Sequence, residues 1–173
     1  MTLHPLGSGL APLQALLDNG VLWWGLAACG SAQLAKLVID LLVHRRWNPR
    51  VLVETGGMPS SHSALLTGTA AAVGWRLGFA DPLFALAAAL CLVVLYDASG
   101  VRRAAGLTAA RVNAWPGAGA GDRLPPLKEN LGHTRLEVLA GALMGPAVAL
   151  PGLVLVGSPL HLAMAWGWLS PVG

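Results

Sequence analysis

Pro59-Ser60-Ser61-His62-Ser63 and Gly132-His133-Thr134-Arg135-Leu136-Glu137 are short polar strings, each directly ahead of a long apolar run. A histidine at the start of an apolar helix stands at the water boundary, beside the positive end of that helix. Backbone N–H groups can hold an anion there, and an imidazole can attack it or pass it a proton. Two such placements in one small chain point to phosphoryl chemistry at a membrane surface.

His133 and Glu137 are four residues apart, so on a helix they share one face. A carboxylate on one ring nitrogen fixes the tautomer and leaves the other free to attack or to shuttle a proton; a purely structural pair is the alternative. In the first string, Pro59 suits the first turn of a helix, where its missing N–H costs nothing. Ser60 and Ser61 offer N–H and hydroxyl donors around whatever His62 faces, and Gly56-Gly57 permits a tight turn near a ligand. The same serines could instead cap the helix, with His62 a solvated interfacial residue. Lys36 and Asp40 share a face inside the first long apolar stretch, where charges are expected to turn toward the interior or a cavity. They either neutralise each other, the preferred reading for Asp40, or free Lys36 to reach a phosphate. Asp97 is followed by Arg102 and Arg103. Guanidinium forks suit phosphate oxygens, but adjacent arginines rarely serve one ligand. One is expected to bind phosphate and the other to meet headgroups or Asp97.

The elements that must carry these residues are membrane helices. Of 173 residues, 55% are hydrophobic and 11% charged, against about 25% charged in soluble domains. The mean hydropathy is +0.62. Helices are expected at roughly 21–44, 62–80, 82–98 and 135–157, with a shorter fifth run, 159–170, lying in the interface with Trp166 and Trp168 as anchors. Leu10 to Leu17 forms a short surface helix in this reading, and 99–134 is the one long hydrophilic connection, containing the Gly117–Gly121 segment. The chain is one membrane domain, 1–173, without a cleaved signal peptide. Cys29 and Cys91 lie in apolar runs as packing residues, with no metal-ligand spacing. Alternate crossings bring Lys36, Arg45, Arg46, His62, Asp97, Arg102, Arg103, Lys128, His133 and Glu137 to one face. Of the 11 Lys and Arg residues only Arg76 falls near the other, so the positive-inside bias puts the polar face and the 99–134 connection in the cytoplasm. For Arg45, Arg46 and Arg50 a purely topogenic role is the alternative.

Residues 56–64 (Gly-Gly-Met-Pro-Ser-Ser-His-Ser-Ala), 96–106 (Tyr-Asp-Ala-Ser-Gly-Val-Arg-Arg-Ala-Ala-Gly) and 131–141 (Leu-Gly-His-Thr-Arg-Leu-Glu-Val-Leu-Ala-Gly) resemble the divergent phosphatidic-acid-phosphatase-like family, related to acid phosphatases and vanadium-dependent haloperoxidases. The resemblance runs from about 30 to 155. It implies an all-α, polytopic membrane bundle of four to five helices with its site at one face. It also implies a phosphatase acting on a lipid phosphate monoester or diphosphate. His133 would form a phosphohistidine oriented by Glu137, and His62 would protonate the leaving alkoxide. Lys36, Arg102 or Arg103, Ser60 and Ser61 would hold the phosphate, with Asp97, Lys128 and Arg135 as secondary candidates. Ser61 stands where the wider superfamily has glycine, Glu137 where it has aspartate, and Leu127-Lys128 where a Ser-Arg pair is usual. Neither metal nor cofactor is expected, vanadate serving only as a phosphate mimic. The partners are a lipid substrate and the bilayer, with no nucleic acid; oligomeric state is not legible. A second reading keeps the fold without catalysis, as a membrane protein binding an anionic headgroup or a protein partner.

Overall fold

The computed structural model of the chain describes residues 11–45, 47–52, 56–115 and 125–168. All regular elements among them are helical: α1 (Ala11–Leu17), α2 (Gly20–His44), a 3₁₀ turn (Pro49–Leu52), α3 (Ser61–Leu77), α4 (Pro82–Ser99), α5 (Val101–Asn113), α6 (Arg135–Leu155) and α7 (Pro159–Ala165). The fold is thus the expected all-α bundle. Three described stretches are long and apolar enough to cross a bilayer: Gly20–Val43, Pro82–Asn113 and Arg135–Ala165.

Local chemistry sets the helix ends. Asn19 accepts from Leu22 N–H and starts α2; Asp81, followed by Pro82, accepts from Leu83 N–H and starts α4. α3 ends at Leu77, three residues earlier than expected, because Gly78 takes φ +97° and donates its N–H to the Gly74 carbonyl. Its 17 residues span about 26 Å, short of the hydrocarbon core of about 30 Å. It is covered by protein, packing on α2, α4 and α6.

The packing is built from small side chains. Ala28, Ala32 and Ala64 form the buried centre, with Met144 and Val148 against them. Where α3 meets α6, a Cβ at Gly145 would fall 2.5 Å from the Ala64 carbonyl oxygen and 2.6 Å from the Gly68 nitrogen, and one at Gly141 would collide with the Ser60 backbone. Apolar burial between helices is not a driving force in lipid, so such close backbone approach supplies the dispersion contacts that hold a bundle. Large aliphatics face outward instead, Leu42, Leu92 and Leu155 being 72%, 72% and 80% exposed.

The direction of each helix follows from these contacts. Gly68 on α3 meets Ala28 on α2, while Gly57, just ahead of α3, lies near Lys36, so α2 and α3 are antiparallel. Ser60 meets Gly141 and Gly68 meets Gly145, so α3 and α6 run the same way. The Lys36 end of α2 and the starts of α3 and α6 therefore share one end of the bundle. At the other end Trp24 donates to the Gly157 carbonyl at 2.6 Å, and the Ser158 hydroxyl donates to Asp18 at 2.7 Å.

The 99–134 connection departs from expectation, for α5 occupies much of it. Gly106 and Ala109 form the buried side of α5, and the Gly106 Cα lies close to the backbone of Glu129 and Leu131. Arg102, Arg103 and Arg111 lower the hydropathy of this stretch, so it reads as a loop while its spacing is that of an amphipathic helix. The Gly117–Gly121 segment and Arg46 lie outside the described residues.

Candidate active site

Two backbone hydrogen bonds gather the polar strings. The Ser60 N–H donates to the Glu137 carbonyl on α6 at 3.0 Å, and the His133 N–H donates to the Ala98 carbonyl at the end of α4 at 2.9 Å. Gly132, at φ +77°, lies directly against the backbone of Arg102 and Arg103, where a Cβ would strike it. One turn of chain thus docks the His133 string onto α3, α4 and α5 together.

The start of α6 is a capping box. The Thr134 hydroxyl accepts from Glu137 N–H at 3.2 Å, and the Glu137 carboxylate accepts from Thr134 N–H at 3.0 Å. The same carboxylate oxygen, Oε2, lies 3.1 Å from His133 Nδ1. An ionised carboxylate can only accept, so the hydrogen belongs to Nδ1 and the lone pair is left on Nε2. His133 is 6% exposed, which holds the ring in this pose.

A cavity of about 550 Å³ opens beside this pair, lined by Lys36 and Asp40 of α2, Arg103 of α5, Glu129, His133 and Glu137. That volume suits a phosphorylated headgroup. Lys36 is 3% exposed, so its charge is held within the bundle, as anticipated for an ionic residue of a membrane helix. The turn at Gly56, Gly57 and Met58 forms another wall, with Gly56 and Gly57 at φ +111° and +78°.

The remaining sequence candidates fall outside this lining. Pro59 stands one residue ahead of the α3 N-cap, joined to Met58 by a cis peptide bond, and not in the first helical turn. Ser60 is the cap itself: fully buried, its hydroxyl accepts from Ser63 N–H at 3.4 Å and from the Ser63 hydroxyl at 2.9 Å. Ser61 is 3% exposed. Neither serine lines the cavity, and Ser60 caps α3. His62 is exposed in the first turn of α3, within electrostatic reach of Arg102, His133 and Lys36. Arg102 is ion-paired with Asp97, and Arg103 lines the cavity. Lys128 and Arg135 are exposed and outside the lining.

Sequence reasoning missed the wall formed by residues 129–131. The Asn113 side chain donates to the Leu127 carbonyl at 2.8 Å and to Glu129 at 2.7 Å, and accepts from Leu127 N–H at 2.9 Å. This clamp holds the segment whose residues 129–131 line the cavity. The Thr134 cap was missed as well, although Thr-x-x-Glu is itself a helix-start signature.

The sequence profile of the divergent PAP2 family matches residues 17–148, which include every residue that lines the cavity. The chain belongs to the divergent PAP2 family. It is also 37% identical over 144 residues to the uncharacterized membrane protein YuiD of Bacillus subtilis (strain 168), covering 75% of this chain and 91% of that protein. No solved structure matches the chain. Family membership, the apolar helices and the membrane-protein relative agree on an integral membrane protein whose polar site lies at one end of its bundle.

Proposed function

We propose that the protein is a lipid phosphate phosphatase acting through a phosphohistidine at His133. The observation that carries this reading is the His133 Nδ1 to Glu137 Oε2 contact at 3.1 Å, within a cavity that also holds Lys36 and Arg103. Glu137 keeps the imidazole in the tautomer whose Nε2 is nucleophilic and stabilises the positive ring as the new bond forms. Lys36 and Arg103 neutralise charge on the non-bridging oxygens, the effect expected to dominate phosphoryl transfer.

The Nε2 lone pair attacks phosphorus, and the bond to the alkoxide breaks in line with the attack. On this reading His62, exposed in the first turn of α3 and within electrostatic reach of His133, gives a proton to the departing oxygen. The His62 imidazole then takes a proton from water as that water attacks the phosphohistidine. Inorganic phosphate leaves and both histidines regain their starting states. The substrate class follows from a site at the membrane surface, and the cation excess on that face would turn it toward the cytoplasm.

A non-catalytic headgroup-binding role is favoured by one feature: with Arg102 held by Asp97 and Ser60 used as a cap, the described phosphate clamp reduces to Lys36 and Arg103. The two readings part in a simple assay. Purified protein in detergent should release inorganic phosphate from phosphatidic acid or a polyprenyl phosphate, and His133→Ala should end that release. Tight phosphatidic acid binding with no release by the wild type would decide for the binding role.

A further inference from the structure

The chain that leads into His133 is pinned to α5 at several points. Pro125 and Pro126 carry no N–H, so the first backbone donor after them is that of Leu127. Asn113, the last residue of α5, takes it. Its Oδ1 accepts from the Leu127 N–H at 2.9 Å, while its Nδ2 donates to the Leu127 carbonyl at 2.8 Å and to Glu129 Oε1 at 2.7 Å. Further along, the bare Cα of Gly106 admits the backbone of Glu129 and Leu131, where a Cβ would strike the Glu129 carbonyl oxygen. Gly132 then meets the backbone of Arg102 and Arg103, and the His133 N–H reaches the Ala98 carbonyl. Residues 127–132 therefore run antiparallel to α5, from its last residue to its first turn.

The two lengths match with little slack. Asn113 lies ten residues after Arg103 on α5, about 15 Å along the axis. The five steps from Leu127 to Gly132 reach at most about 18 Å when fully extended. A turn closed by the Leu131 N–H on the Glu129 carbonyl, at 2.8 Å, shortens that reach. A segment so nearly taut cannot slide along α5 while both of its ends are held. One helix thus brings Arg103 to the cavity and also fixes the segment that delivers His133 to it.

We propose that Asn113, which does not line the cavity, is a positioning residue: its clamp sets the register of His133 against Arg103. This deepens the phosphatase reading and rests on it for the reaction. With the clamp released, Gly132 still packs on α5, so His133 stays at the cavity while its placement against the guanidinium loosens. Misplacement by about 1 Å is enough to cost about 10²-fold in rate.

The test is a double-mutant cycle on the full chain in detergent, read as phosphate release from dioleoyl phosphatidic acid. Asn113→Ala should lower kcat/KM about 10²-fold when Arg103 is present. With Arg103→Ala already in place it should cost less than about threefold, because residues that act as one unit are non-additive. Leu127→Pro removes the donor N–H and keeps the Asn113 side chain; it should show the same dependence on Arg103 with a smaller fall. Equal factors in both backgrounds, as a general loss of stability would give, would overturn the assignment, as would no fall in a folded Asn113→Ala protein. Orthovanadate binding, followed by calorimetry, separates this from the phosphatase reading. Binding that weakens in Asn113→Ala only while Arg103 is present, in a wild type that releases no phosphate, would keep the positioning role and remove the phosphatase. Phosphate release by wild type without coupling between Asn113 and Arg103 would do the reverse. A wild type that neither binds vanadate nor releases phosphate would remove both.

Discussion

Glu137 performs two tasks with one oxygen, and the two can be separated. Its carboxylate closes the capping box with Thr134 and holds His133 Nδ1. Glutamine also serves at this position of a capping box, so Glu137→Gln keeps the helix start but loses the negative charge under the imidazole. Its thermal unfolding midpoint should stay near that of wild type while turnover falls about 10²-fold or more, measured as phosphate release. Equal loss of stability and activity would assign the pair a structural role. For His62 the informative variable is the leaving group. A general acid matters most when the departing oxygen is strongly basic, so His62→Ala should slow hydrolysis of an alkyl phosphate about 10²-fold and that of p-nitrophenyl phosphate far less. Equal slowing of both would place His62 outside proton transfer. The His133–Glu137 pair was legible because four-residue spacing before an apolar run has one geometric meaning. The role of Ser60 was not, because a serine ahead of a helix reads equally as a cap and as an anion ligand.

At the scale of elements, the site depends on how closely α3 lies on α6. Gly141 and Gly145 let the α3 backbone approach, and the Ser60 N–H to Glu137 carbonyl bond is made across that contact. Gly145→Leu should push the helices apart, costing about 3 kcal/mol as overpacking and lowering the unfolding midpoint; a fully stable variant would mean that the close approach is dispensable. Helices α2, α4 and α6 announced themselves by length and hydropathy. The position of α3 inside the bundle was less visible, since its alanines and glycines give no amphipathic stripe to read. α5 was hidden by its arginines, and with it the Asn113 clamp on the segment that supplies one wall of the cavity. That wall comes from long-range contacts, which spacing along the chain does not encode.

Across the whole molecule, chemistry gathers at one end and fastening at the other. Opposite the cavity, buried Ser158 donates to Asp18 at 2.7 Å and lies 3.1 Å from His161 Nδ1, tying the start of α2 to the junction of α6 and α7. Ser158→Ala should cost about 1–3 kcal/mol without touching the cavity, read as lower thermal stability at unchanged kcat. Orientation can be read independently: a membrane-impermeant maleimide should reach Trp168→Cys in intact cells and Lys128→Cys only after permeabilisation, and the opposite pattern would turn the cavity outward.

The central claim is that His133 carries the phosphoryl group. Wild-type protein quenched during turnover of ³²P-labelled phosphatidic acid should retain label that is stable to base, labile to acid and mapped to the peptide containing His133. His133→Ala should retain none. Rapid phosphate release from a wild-type enzyme that never acquires such label, or undiminished release by His133→Ala, would contradict the account.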